Sequence, residues 1–340
     1  MFNFLEKHVT LTSLNNELKN KEIVSISNPS LSKILKELGF KYRKDDNRRS
    51  LMERTNIASQ RACFLRKYRE NRYSASPREV IFLDETWIYA KGTKINSWQD
   101  SNVKSVRKPQ GYDGKRFIIV HAGSSKGFVE GASLLFSSKS LTMDYHGEMN
   151  GNIFTQWITT QLIPNLEEPS LIIMDNAPYH SMLVEKQPSH CSRRDDIIIW
   201  LKANKINFSE ALTRPELLQL AKMNRKENVY IIDELLREHG HEVLRLPPYH
   251  CDFNAIELIW ANCKSYYNKS IGRDGYGDDK VLSMWRESLE NCNVEVWQEC
   301  VRHTEKLIED WYIRERNLVN INVDRIVINI GGDSSDSDSD

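Results

Sequence analysis

Three carboxylates, Asp84, Asp175 and Glu257, are the side chains of this sequence best placed to do chemistry together. Val80-Ile81-Phe82-Leu83 is an apolar run ending in Asp84-Glu85, and Leu171-Ile172-Ile173-Met174 is a second, ending in Asp175. Short apolar runs of this kind read as buried strands, so each is expected to deliver an acid at its C-terminal edge. Successive strand side chains point to opposite faces, so only one of Asp84 and Glu85 can enter a given site. Glu257 lies in Leu246–Trp260, where Pro247 and Pro248 bar helix at the start and Ile256, Ile259 and Trp260 recur at helical spacing. Carboxylates converging in a partly desolvated site repel one another and raise each other's pKa unless divalent cations offset the charge. Hard oxygen ligands suit Mg²⁺ or Mn²⁺. Two such ions about 3.5–4 Å apart can activate a water or a 3′-hydroxyl and stabilise the leaving oxygen of a phosphodiester.

Each acid also has a plain structural explanation. A strand end can carry a solvated aspartate, and Asn254-x-x-Glu257 is a capping-box pattern that needs no chemistry. Asp252 rivals Glu257 as a third ligand but lies five residues earlier, off the face Glu257 would share on one continuous helix. His180 would contact a phosphate or cap the turn after Asp175, and the turn is the expected role.

The elements that must position these acids follow from the apolar pattern. Val80–Leu83, Phe117–Ala122, Ser133–Phe136, Leu171–Met174 and Val243–Leu246 read as strands. Asn152–Ile163 reads as an amphipathic helix stopped by Pro164, and helices bearing Trp285, Leu289, Trp297, Leu307, Ile308 and Trp311 are expected to cover one face of the sheet. Pro178 forces the chain out of the sheet after Asp175. The whole is an α/β arrangement, and open α/β sheets place their sites at strand C-terminal ends.

Charge is segregated although the 47 basic and 47 acidic side chains balance. Residues 1–78 hold 17 basic and 8 acidic side chains, a local net of +9, which favours a polyanionic partner. Leu11, Leu14 and Leu18 mark one short helix from Thr10. A second has Asn28 as N-cap, Pro29 at its first helical position, Leu31, Ile34, Leu35 and Leu38 on one face, and Gly39 closing it. With Lys33 and Lys36 on the free face and Lys41, Arg43 and Lys44 following, the pair suggests a helix-turn-helix whose second helix meets base edges while the basic residues hold phosphates. Ser50–Arg72 reads as one further helix opening on a Ser50-x-x-Glu53 capping box. The six cysteines form no CxxC pair, and neither an apolar leader nor a span of eighteen apolar residues is present, which points to a reducing compartment and away from membranes. His190-Cys191 and His250-Cys251 lack the paired spacing of a zinc site.

The segments VIFLDETWIYA around Asp84, LIIMDNAPYH around Asp175 and LPPYHCDFNAIELIW around Glu257 closely resemble the three signature segments of the Tc1/mariner-like transposases, DDE superfamily endonucleases with an RNase H-like fold. TLTSLNNELKN…SNPSLSKILKELGFKYRK resembles the second helix-turn-helix half of their paired DNA-binding region, so the likeness runs from about Thr10 to Lys269. It implies a mixed RNase H-like sheet flanked by helices and a catalytic and metal-binding triad of Asp84, Asp175 and Glu257, with Glu85 facing away. It further implies Mg²⁺ or Mn²⁺, cleavage of double-stranded DNA at transposon ends, 3′-hydroxyl strand transfer into target DNA, and action in the nucleus, with a homodimer among the assemblies it allows. A host-retained, catalytically idle DNA-binding descendant is the alternative, and a nuclease that cleaves without joining would use the same triad. The sequence departs from the family where Ala255 replaces a proline, where His250-Cys251 replaces Ser-Pro, and in having about one helix-turn-helix before the linker instead of two.

Asp175 and Glu257 are separated by 81 residues, so an insertion of roughly 182–240 is expected. Asp196–Ala203 and Pro215–Met223 read as short helices joined by an extended linker, with Tyr230–His239 a third, a pattern weakly similar to SAP-type modules. Arg193 and Arg194, together with Lys202, Lys205, Arg214 and Lys222, would be its phosphate contacts, unless the insertion merely packs on the core. The expected organisation is a partial helix-turn-helix module at 1–49, a helix and linker at 50–78, a catalytic domain at 79–325, and an acidic disordered tail at 326–340.

Overall fold

A six-stranded mixed sheet carries the acids. In a computed structural model of the chain, the structure describes residues 10–38, 40, 47–92, 114–137, 149–209 and 211–320. Gly39, Lys41, Arg43, Lys44 and the acidic tail lie outside the described residues. The chain folds as two compact units, Met1–Arg66 with Leu307–Asp340, and Lys67–Lys306.

The larger unit holds strands β1 (Glu79–Tyr89), β2 (Arg116–Ser124), β3 (Gly127–Phe128), β4 (Leu134–Ser137), β5 (Ser170–Met174) and β6 (Glu242–Arg245). Their order is β3-β2-β1-β5-β6, with β4 also on β2. β1 is antiparallel to β2 and parallel to β5, and β5 is parallel to β6, which is the RNase H-like arrangement expected. One expectation needs correcting: β1 does not end at Asp84. Pairing with β2 continues from Phe82–Gly123 to Tyr89–Arg116, so both acids sit in mid-strand. Only the parallel partner stops there, since β1–β5 pairing ends at Phe82–Ile173.

Strand alternation then gives the sheet two faces. Ile81, Leu83, Ile118, Val120, Ile172 and Met174 face one way, onto Phe154 and Trp157 of α5 (Gly151–Trp157) and onto Ile232 and Leu236 of α8 (Ile231–Glu238). A π-helical turn and a 3₁₀ turn prolong α5 to Asn165, so Pro164 lies within the final turn instead of beyond it. The opposite face carries α9 (Ile256–Ser270), α10 (Asp278–Glu290) and the first turns of α11 (Val294–Asn320). There Phe128 meets Trp260 and Trp297, with ring centroids at 6.3 and 5.0 Å, and Trp260 meets Trp285 at 6.2 Å. Gly123 is required, because a Cβ there would stand 2.3 Å from the Trp297 ring. Leu307, Ile308 and Trp311 belong to the other unit, so of the set expected to cover the sheet only Trp285, Leu289 and Trp297 lie in the unit that holds it.

Between β5 and β6 the chain leaves and returns through adjacent backbone. Leu183 bridges Tyr230, and the Val184 amide donates to the Val229 carbonyl. The excursion thus closes on itself, which is how the 81-residue interval is accommodated. It holds α6 (Arg194–Ala203) and α7 (Arg214–Met223) around a separate core of Ile197, Trp200, Leu201, Leu217, Leu218 and Ala221. The expected third helix, α8, instead packs in the main core, so the excursion is narrower than 182–240.

In the smaller unit, α1 (Leu11–Asn20) starts on a Thr10–Ser13 capping box and α2 (Asn28–Glu37) follows after a short turn. Ser27, not Asn28, caps α2, its hydroxyl accepting from the Ser30 amide; the Asn28 carboxamide oxygen instead accepts from buried Asn15. The single helix expected over Ser50–Arg72 is two, α3 (Asn47–Met52) and α4 (Thr55–Arg72). Buried Arg61 explains the break: it donates to the Met52 carbonyl at 2.7 Å and pairs with Glu315 and Glu53, so Glu53 serves an ion network instead of a cap.

Candidate functional site

Two anchors place Glu257 beside Asp84. Buried Asn254 donates its side-chain amide to the Leu83 carbonyl at 3.0 Å, and the Tyr267 hydroxyl donates to the Tyr89 carbonyl at 2.9 Å. Six strand residues at about 3.3 Å cover nearly the same 20 Å as thirteen helical residues at about 1.5 Å, so α9 lies along β1 without slack. The capping-box explanation of Glu257 therefore fails. Asn254 holds the strand, and the helix N-cap position is Ala255, which makes no side-chain cap. Lys264, two turns beyond Glu257, packs over the Trp87 ring at 5.0 Å. Burial lowers its pKa, while the charges of Glu257 and Asp84 oppose that shift. Sequence reasoning missed Lys264, although the seven-residue interval from Glu257 was its signal.

Asp175 follows β5, and extending the parallel register by two residues sets it level with Asp84. The turn after it is fixed by the neighbouring strand. Asn176 donates to the Leu246 carbonyl at 2.7 Å, and Arg245 reaches the carbonyls of His180 and Asp175 while pairing with Asp233 at 2.6 Å. Arg245 too was missed, because its partners are brought together only by β5–β6 pairing.

Burial, followed by the charges of Glu85, Glu257 and Asp175, holds the Asp84 carboxyl well above the usual carboxylate range. Asp175 behaves oppositely. Burial pushes it up, but the hydrogen bond and charge of His180, the Ala177 amide and Arg245 outweigh this and leave it below its ordinary value. Asp84 thus stands among three further carboxylates whose charges it feels.

His180 does more than cap a turn. Its Nδ1 lies 2.7 Å from Asp175 Oδ1 and its Nε2 2.9 Å from Glu85 Oε1, and its ring centroid is 4.1 Å from that of Phe154, the planes tilted by 42°. Glu85 does point off the face that carries Asp84, as strand alternation requires, yet it rejoins the site through this imidazole. Burial lowers the His180 pKa, but the Glu85 and Asp175 charges and hydrogen bonds prevail and raise it to about 10. A group whose folded pKa is raised contributes stability that is complete below its unfolded value and is lost as pH rises through the folded one. In the metal-free protein, ring ¹⁵N shifts of His180 are accordingly expected to report both nitrogens protonated at pH 8 and to titrate near pH 10, with stability falling over that interval. A ring titrating near pH 6.5 would contradict the arrangement.

His121 stands directly across from Asp84 on β2, where burial lowers its pKa to about 4, so it brings no positive charge at neutral pH. Among the described residues, no three His, Cys, Asp or Glu side chains form a ready group around one ion. The donor set nonetheless fits divalent cations. Mg²⁺ commonly takes only one or two protein carboxylates and completes its shell with water and phosphate oxygens, and the negative charge around Asp84 is what such ions would offset.

Lys33 and Lys36 are exposed on α2, and Arg193 is exposed at the N-cap of α6. Arg194 is half-buried and donates to the Leu212 carbonyl at 3.3 Å, tying the linker to α6. No helix among the described residues is long and apolar enough to cross a membrane.

β1 thus lies between an antiparallel and a parallel neighbour, in the RNase H-like manner, and acids from β1, the β5 end and the α9 start come close enough to act on one another electrostatically. Residues 79–274 match the DDE superfamily endonuclease profile, and the chain belongs to that family. Among solved structures it is similar to a pre-cleavage Mos1 transpososome (14% identity, 91% of this chain and 79% of that chain, TM-score 0.46). It is also similar to a Mos1 transposase paired-end complex with the left transposon end (15%, 91% and 81%, 0.46) and to the Mos1 strand transfer complex (14%, 91% and 78%, 0.45). No curated protein sequence matches.

Proposed function

We propose that this chain is a Tc1/mariner-like transposase that cuts DNA at the ends of a mobile element and joins the freed ends to target DNA. Asp84, Asp175 and Glu257 are its catalytic and metal-binding residues. The observation that carries the reading is the convergence of Asp84, Asp175 and Glu257, set by β1–β5 register and by the Asn254 and Tyr267 anchors, with Asp84 buried among the other carboxylates so that its pKa is raised. Such repulsion costs stability and is hard to reconcile with a purely structural role.

Asp84, Asp175 and Glu257 would hold Mg²⁺ or Mn²⁺. Bound there, the cations supply Lewis acidity and a deprotonated oxygen nucleophile. The protein supplies position. β1 and α9 fix Asp84 and Glu257 through Asn254 and Tyr267, His180 holds Asp175, and Lys264 places a cation beside the acids. Attack of water on a phosphodiester breaks the bond to the 3′ oxygen and leaves a 3′-hydroxyl, which then attacks a second DNA strand and displaces its 3′ oxygen. Residues 79–325 form the catalytic domain on this reading, and 1–49 bind duplex DNA through Lys33, Lys36, Lys41, Arg43 and Lys44. Arg193 adds a phosphate contact from the insertion; Arg194, engaged with Leu212, adds less. On this reading a homodimer would bring two ends together and the protein acts on DNA in the nucleus.

Purified protein is expected to nick supercoiled plasmid with Mg²⁺ or Mn²⁺ and to join a 3′-hydroxyl oligonucleotide to it. Chelation with EDTA should stop both reactions. Nicking that persists in EDTA would refute the proposal.

A further inference from the structure

Asp175 is held by more than its own turn. Its Oδ1 accepts from the Ala177 amide at 2.9 Å and faces His180 Nδ1 at 2.7 Å. On the far side of the imidazole, Nε2 meets Glu85 Oε1 at 2.9 Å, and the His180 and Glu85 side chains are only 1% and 3% exposed. The Asp175 side chain is 49% exposed, so it has an open side away from these contacts. We propose that Glu85 is a positioning residue: through His180 it commits Asp175 Oδ1 to the protein and leaves Oδ2 as the single oxygen offered to a divalent cation.

The chain of contacts crosses the sheet. Glu85 rises from β1 on the α5 face, Phe154 packs at a tilt against the imidazole that receives it, and Asp175 sits at the β5 end. The same strand thus contributes twice, directly through Asp84 and indirectly through its neighbour. Outer partners that orient a ligating carboxylate or histidine typically change metal affinity about 10–100-fold when removed. A carboxylate free to rotate could instead chelate one ion with both oxygens and withdraw from a second.

This inference rests on the reading of Asp175 as a ligand, and the test separates the two. Mn²⁺ binding to the full-length protein is followed by the loss of the free-ion electron paramagnetic resonance signal, with thermal midpoints recorded in parallel. Glu85→Met keeps the volume and removes the acceptor, whereas Glu85→Gln can still donate to an unprotonated Nε2 while Nδ1–H donates to Asp175. Glu85→Met is expected to weaken Mn²⁺ binding by about 10–100-fold, and Glu85→Gln to stay near wild type. His180→Asn, too short to span both carboxylates, should weaken binding in the same direction and gives the answer if Glu85→Met does not fold. Wild-type affinity in both Glu85→Met and His180→Asn, or equal losses in Glu85→Gln and Glu85→Met, would overturn the positioning role. Wild-type affinity in Asp175→Ala would overturn the ligand reading itself.

Discussion

Replacing Asp84 with asparagine is expected to lower Mg²⁺-dependent cleavage by about 10³-fold while leaving the fold as stable as before or more so. The first half follows from the chemistry: cation-assisted stabilisation of charge at phosphorus is worth several kcal/mol, and about 1.4 kcal/mol corresponds to a factor of ten in rate. The second half follows from the environment. Burial and the charges of Glu85, Glu257 and Asp175 raise the Asp84 pKa above its unfolded value. Its contribution to stability is therefore complete only below the unfolded pKa and disappears as pH rises through the folded one. At neutral pH in the metal-free protein, the neutral asparagine escapes that penalty. Gel-based nicking and urea unfolding at pH 7 read the two effects. Loss of stability together with activity would indicate a structural acid.

Truncating Phe154 to alanine should cost about 3–5 kcal/mol, the range found for large buried aromatic side chains. Phe154 is fully buried, and its ring packs on Trp157 at 5.5 Å, Tyr179 at 6.0 Å and His180 at 4.1 Å. The cavity would open directly beneath the imidazole that joins Glu85 to Asp175. A matching drop in the urea midpoint, with the slope of the transition unchanged, is the expected result. A change below about 1 kcal/mol would mean that the site collapses to fill the void, which the dense packing of protein interiors disfavours.

Much of the candidate site is legible in the sequence because its parts are local. The runs before Asp84 and Asp175 announce strands by composition, and the prolines before Glu257 announce where a helix can begin. Chain order alone places those three acids in family-like segments. What stayed hidden depends on pairing between distant segments. Nothing near Asp84 says that β2 will carry the strand five residues further, to Tyr89. Asn254 has the spacing of a cap, and only the approach of Leu83 diverts its amide to the strand. Glu85 points off the Asp84 face as alternation demands, but period-two reasoning does not reveal that His180 waits on the other side. The excursion holding α6 and α7 was visible as a gap in spacing. Its boundary was not, because α8 joins the main core through Ile232 and Leu236, whose apolar pattern resembles that of the inserted helices.

The most direct test is anomalous diffraction from crystals of the protein soaked in Mn²⁺. The account predicts ion density in contact with Asp84 and with Asp175 or Glu257, resolving into two peaks about 3.5–4 Å apart when DNA is bound. Mn²⁺ density confined to other side chains, in a protein that cleaves DNA, would contradict it.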